Sequence, residues 1–146
     1  MVEPLRIVLP CEASSAATSR REMRAWLLEL CGPDQLCDTC DDLVFAVSEA
    51  VTNSIDHAYL TRPTGPVSLR CAVEESPDAA SGLAVVVQVG DEGAWRTPPE
   101  DPGDRGRGLM MMRASVDAMD VQVHVSGTTV VLRTDLRCPS LVPSGA

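Results

Sequence analysis

Glu49, Asn53 and His57 recur at four-residue intervals in the stretch DDLVFAVSEAVTNSIDHAY. That interval stacks side chains on one face of a helix. A carboxylate such as Glu49 can accept a proton from a hydroxyl or orient a water. A neutral amide oxygen such as that of Asn53 suits a hard cation that takes only one or two protein ligands. An ordinary polar helix flank has the same spacing, so these residues gain meaning only in company with others.

Two further signals lie downstream. The apolar run LAVVVQV ends in GDEG, which places Asp91 and Gly93 just past a strand, where open α/β sheets bind ligands. A carboxylate there can accept from the exocyclic amine of adenine, and a glycine two residues on lets backbone approach a base. Asp-x-Gly also marks ordinary turns. Gly106-Arg107-Gly108 then precedes LMMMRAS, so inward-pointing N–H groups and a helix start could hold an anion such as triphosphate. A flexible hinge would have the same sequence.

The elements that must position these groups follow from periodicity. Leu5 to Leu9 predicts a first strand, and Ser14 or Ser15 is expected to cap a helix running to about Leu30, stopped by Gly32-Pro33. Met23, Trp26, Leu27 and Leu30 mark its inner side; Arg20, Arg21 and Arg24 mark its outer side. A second helix is expected from Leu36 or Thr39 to Ala58, with Thr39 and Asp42 as a capping box. At about 100° per residue, Leu43, Val44, Val47, Ala50, Val51, Ile55 and Ala58 share an arc of about 140° facing the core. Asp42, Glu49, Asn53 and His57 line one flank of that arc, bordering a crevice between helix and sheet. Strands are expected from Val67 to Val73 and from Leu83 to Val89, the latter central and covered on both faces. Ala94 to Arg105, rich in Pro and Gly, reads as a mobile loop and candidate lid. Two more strands, Met119 to Val125 and Thr128 to Leu136, are joined at Ser126-Gly127.

Composition narrows the class. The 146 residues are 45% hydrophobic, enough for one core, and a formal net charge of −9 argues against nucleic acid or an anionic membrane as partner. No apolar run approaches the roughly 20 residues that span a bilayer, and no export signal opens the sequence, so a cytoplasmic setting is expected. Of the six cysteines, Cys37 and Cys40 form a C-x-x-C with Cys31 nearby. No second C-x-x-C or histidine pair completes a zinc set, so reduced thiols with a packing or incidental role are expected.

SEAVTNSIDHAY resembles the N box, GDEG the first glycine box and GRGL the second glycine box of the GHKL ATPase superfamily, and the chain is most similar to its anti-sigma-factor serine/threonine kinases. The resemblance extends from the first strand to GTTVVL. It implies ATP and Mg2+ as cofactors, with Glu49 as catalytic base and Asn53 as both ATP-binding residue and magnesium ligand. It further implies Asp91 and Gly93 at the adenine, Thr128 in the network behind Asp91, and Gly106, Arg107, Gly108 and Leu109 at the phosphates. His57 falls on the family's histidine, with nucleotide contact and structural packing both open. Arg20 falls on a first-helix arginine that meets the substrate protein, with Arg21 and Arg24 as neighbours that a loop shift would exchange for it. One departure stands out: many relatives carry D-x-G-x-G, and this chain has Trp95 at the last position, where it would cover the adenine or stiffen the lid.

The implied fold is an α/β two-layer sandwich, a mixed and largely antiparallel sheet with about three helices on one face. Residues 1–138 form the histidine-kinase-like ATPase domain and 139–146 a flexible tail. The implied activity is phosphorylation of a serine or threonine on a STAS-type anti-anti-sigma protein, alternating with sequestration of a sigma factor; a homodimer is expected. The alternative is a non-catalytic, ATP-responsive protein-binding regulator of the same fold. A sensor histidine kinase would need a helix hairpin bearing an acceptor histidine, which neither His57 nor His124 provides, and an ATP-driven clamp would need further domains.

Overall fold

The computed structural model describes residues 2–32, 36–94 and 110–138. Five strands form one sheet in the order β1-β2-β3-β5-β4: β1 (Leu5–Leu9), β2 (Val67–Glu75), β3 (Leu83–Asp91), β4 (Ala118–His124) and β5 (Gly127–Asp135). All four pairings are antiparallel, so among the described residues the sheet is not mixed. Hairpins dictate this for β2-β3 and β4-β5, and β4 turns into β5 through two residues, Val125 and Ser126.

Period-2 alternation gives the sheet one apolar face. Val67, Leu69, Cys71, Val85, Val87, Val89, Val130 and Leu132 are buried there beneath the helices. The other face of β3 has no helical cover: Gln88 is exposed and Val86 half-buried, which corrects the expectation that this strand is covered on both sides. Long side chains of neighbouring strands, such as the Arg133–Glu74 ion pair at 2.6 Å, shield it in part. A hydrophobic run thus marked the middle of the sheet rather than two packed faces.

Helix α1 (Ser14–Cys31) packs Met23, Trp26 and Leu27 inward and leaves Arg20, Arg21 and Arg24 exposed. Neither serine caps it. Ser14 is its first residue, and Ser15 lies buried in the first turn, donating to the Pro10 carbonyl at 2.6 Å. The indole N–H of Trp26 reaches the Glu3 carbonyl at 2.7 Å, tying the helix to the start of the chain. Helix α2 (Asp38–Asn53) starts one residue before Thr39, with Cys37 at the cap position and no side-chain cap bond, so the Thr39–Asp42 capping box does not form. Asp38 and Asp41 occupy its first turn, where the helix dipole favours negative charge.

Leu43, Val44, Val47, Ala50 and Val51 of α2 are all at most 2% exposed, and burying each larger aliphatic side chain contributes about 1.5–3 kcal/mol. From Ser54 to Ala58 the helix widens into a π turn. Residues 110–115 form a short third helix that buries Met112. No described helix is long and apolar enough to cross a membrane.

Candidate functional site

The end of α2 and its π turn meet the end of β3 on the helix-covered side of the sheet. Asp91, the last residue of β3, is held from two directions. Its Oδ1 accepts the Gly93 N–H at 3.0 Å, and its Oδ2 accepts the Ser54 hydroxyl at 2.8 Å. A carboxylate offers about four lone-pair positions, so acceptor capacity remains after both bonds. Ser54 is buried and immediately follows Asn53, so the helix that carries Glu49 and Asn53 is fastened to Asp91 by its next residue. Nothing in the sequence marked Ser54, because its role depends on a meeting across the fold.

Thr128 lies directly opposite Asp91 in the β3-β5 register and shares its face of the sheet. It is 3% exposed, and its Oγ1 has no hydrogen-bond partner among the described residues. An orphaned buried hydroxyl costs about 1–3 kcal/mol, so a ligand or water that reaches it is rewarded. Gly127, just before it, passes so close to β3 that an added Cβ would sit 1.9 Å from the Asp91 carbonyl oxygen.

Gly93 has a packing reason of its own. A Cβ there would stand 2.0 Å from the Ala58 carbonyl oxygen, the same oxygen that accepts the Ala94 N–H at 2.8 Å. The glycine therefore lets the π turn close onto the end of β3. Tyr59, the last residue of the H-A-Y signal, strengthens the same junction by donating its hydroxyl to the Pro66 carbonyl at 2.5 Å and accepting the Glu92 N–H at 2.9 Å. Burial foremost, with Asp91 and Glu92 nearby, raises its pKa despite that N–H. Arg62 donates to the carbonyls of Gly93 at 3.1 Å and Val125 at 3.0 Å, joining the loop after the helix to the β4-β5 hairpin. Sequence reasoning assigned no role to Tyr59 or Arg62, since both act through backbone groups of distant segments.

Glu49 and Asn53 are half-buried and one turn apart on α2, and among the described residues no hydrogen bond or ion pair occupies either head group. His57 is half-buried within the π turn. A π turn advances each residue by less than the 100° of an α-helix, so His57 stands at a different angle from the one a regular helix projects. Asp42, the fourth member of the projected flank, is exposed toward the far end of α2. On α1, Arg24 pairs with Asp41 at 3.4 Å, whereas Arg20 and Arg21 make no ion pair among the described residues. Gly106, Arg107, Gly108 and Leu109 lie outside the described residues, as do Trp95, nearly all of the Ala94–Arg105 loop and the 139–146 tail.

A depression of about 310 Å³, bordered by Val8, Pro66, Ser68, Gly90 and Thr129 and reaching Asp91 and Glu92 at the end of β3, opens on the other face of the sheet. It holds neither Glu49 nor Asn53. The Asp91 carboxylate, bonded to Ser54, and the unpartnered Thr128 hydroxyl lie on the helix side, with Glu49 and Asn53 on α2, and the chemistry follows them.

The family model described as histidine kinase-like ATPase domain matches residues 9–134. The serine-protein kinase RsbW of Bacillus licheniformis is 37% identical over 64% of this chain; the chain spans 62% of that relative's length. The anti-sigma F factor of Clostridium beijerinckii is 30% identical over 84% of this chain and 87% of its own length. Among solved structures, the RsbU and RsbW domains of a Mycobacterium tuberculosis protein superpose with a TM-score of 0.68 at 30% identity, over 92% of this chain and 32% of that one. With the match covering most of the chain, the protein belongs to the ATP-using histidine kinase-like ATPase domain family, in the branch that includes anti-sigma-factor serine kinases.

Proposed function

We propose that this chain is an anti-sigma-factor protein kinase, with ATP bound between α2 and the Asp91 end of β3. The observation that carries the binding mode is the Thr128 hydroxyl, buried opposite Asp91 and without a partner among the described residues. The adenine amine donates to Asp91, and Thr128 completes the polar lining behind it. Gly93 shapes the same edge by allowing the π turn to close. His57 borders the nucleotide from the π turn, and Gly106, Arg107, Gly108 and Leu109 supply the phosphate loop.

Asn53 fits a magnesium ligand, since its half-buried amide has an oxygen that nothing described engages. When bound, Mg2+ supplies positive charge that offsets the phosphate oxygens. Glu49 takes the proton of a serine or threonine hydroxyl as its oxygen bonds to the γ-phosphorus. The bond from that phosphorus to the β-bridging oxygen breaks, and ADP departs. The hydroxyl belongs to a STAS-domain anti-anti-sigma protein, and the same chain sequesters a sigma factor when that antagonist is absent; the relatives' names, a serine-protein kinase and an anti-sigma factor, support serine as the acceptor and a sigma factor as a partner. The exposed Arg20 on α1 faces the protein partner, in a homodimeric assembly.

The test is single-turnover transfer from labelled ATP to the cognate antagonist by wild type and Glu49→Gln. Transfer should fall by about 10²–10⁴ while ATP affinity stays level. Wild-type transfer by the variant removes the base assignment. No transfer by the wild type, with intact ATP binding, favours the regulator without catalysis.

A further inference from the structure

We propose that Cys31, Cys37, Cys40 and Cys138 form a four-thiolate site for one Zn2+ ion at the end of the sheet away from Asp91. Cys31 closes α1, Cys37 and Cys40 open α2, and Cys138 follows β5. The chain leaving β5 passes the start of β3, where the Leu136 N–H bonds the Leu83 carbonyl at 2.9 Å, and this delivers Cys138 to the two helix ends. Sulfur–sulfur distances are 3.5 Å for Cys31–Cys40, 3.5 Å for Cys40–Cys138 and 3.0 Å for Cys37–Cys138. The sulfurs of Cys31, Cys40 and Cys138 all lie within 4.8 Å of one another.

In a tetrahedral site with Zn–S bonds of about 2.3 Å, neighbouring sulfurs are about 3.8 Å apart, close to the spacing of Cys31, Cys40 and Cys138; Cys37, which touches Cys138 but stands outside that group of three, turns inward to become the fourth ligand. Two separate disulfides would leave two isolated pairs. Here Cys40 touches both Cys31 and Cys138, so these three thiols converge on one centre, and Cys37 joins them through Cys138. A cluster of several irons would hold its thiolates farther apart. Cys31, Cys40 and Cys138 are buried, which keeps water away from the metal, while the half-buried Cys37 gives a way in.

Loading forms four Zn–S bonds and releases four thiol protons to solvent, with no change in oxidation state. The resulting charge sits at the start of α2, whose N–H groups and dipole favour it. Asp38 and Asp41 oppose it there, and Arg24 offsets Asp41 in part. The ion would staple the α1-α2 junction to the end of the sheet. Metal binding of this kind stabilises the fold directly.

The experiment uses the full chain, purified reduced and without chelator or nucleotide, and measures zinc content and Co2+ uptake. About one zinc per chain is expected, with Co2+ giving the thiolate charge-transfer and intense visible bands of a tetrahedral sulfur site. Cys37→Ser and Cys138→Ser, checked for folding by circular dichroism, should lose the bands or bind Co2+ far more weakly; Cys11→Ser, outside the cluster, should match wild type. Cys37 is half-buried, so its variant retains the packed core. Failure of folded, reduced wild type to take up either metal overturns the proposal. So does metal uptake unchanged in both cluster variants, or a chain isolated under reducing conditions that holds a Cys37–Cys138 disulfide in place of metal.

Discussion

Replacing Thr128 by valine should move stability and nucleotide affinity in opposite directions. The side chains are nearly the same shape, so the change removes one buried hydroxyl and little packing. In the free protein that hydroxyl has no partner among the described residues at 3% exposure, a burden of about 1–3 kcal/mol that an ordered water would reduce. Thr128→Val should therefore raise free-protein stability by about 1 kcal/mol, or roughly 3 °C in Tm for a domain of this size. With ATP bound, the hydroxyl is part of the lining opposite Asp91, and its loss should cost about 0.5–1.5 kcal/mol, a roughly 2- to 12-fold weaker Kd. Thermal unfolding without nucleotide, paired with calorimetric titration, reads both signs. A variant that loses more than about 1 kcal/mol of stability while binding ATP normally would show that the hydroxyl serves the fold alone, and the placement of the nucleotide beside it would fall.

Asn53→Ala should weaken Mg2+-dependent ATP binding and transfer together, leaving magnesium-free nucleotide binding little changed; equal losses with and without magnesium would remove the ligand role. Gly93→Ala should destabilise the chain by more than about 3 kcal/mol, because its Cβ would stand 2.0 Å from the Ala58 oxygen. Denaturant unfolding checks this, and a cost under about 1 kcal/mol would mean that the π turn yields easily. Burial acts to raise the Asp117 pKa, but the Asp135 N–H and the Arg137 guanidinium outweigh it and hold the value below the usual carboxylate range. Its stabilising contribution is therefore present above the unfolded pKa of about 3.9 and disappears as pH falls through the lower folded value. Asp117→Asn should be less stable than wild type at neutral pH, with the gap closing in acid; a gap constant from pH 7 to 2 would contradict the shift.

The second helix was legible because its core side is an unbroken 3.6-residue repeat from Leu43 to Val51, and β3 because valines cluster between turn signals. Asp91 stood out for a related reason, as a charge abruptly ending an apolar strand. Periodicity failed at Ser54, where the helix widens, since a projection at fixed angle contains no information about a π turn. Ser14, Ser15 and Thr39 have the composition of caps, yet Pro10 claims Ser15 and Cys37 occupies the start of α2, so local propensity yielded to the packing of helix ends. The thiols show the same limit more sharply. Cys31, Cys37 and Cys40 look like an incomplete set in sequence, and Cys138, about a hundred residues on, joins them only through the sheet.

Calorimetric titration of wild type and Asp91→Asn with Mg-ATP and Mg-GTP bears most directly on the nucleotide site. Adenine presents an amine donor where guanine presents a carbonyl acceptor, and Asp91, already holding the Ser54 hydroxyl and the Gly93 N–H, can only accept. The wild type should bind ATP well above GTP, and Asp91→Asn should lose about 1.5–3 kcal/mol toward ATP, the range for a hydrogen bond to a charged group. Equal affinity for the two nucleotides, or a loss below about 0.5 kcal/mol in the variant, would contradict an adenine site at Asp91.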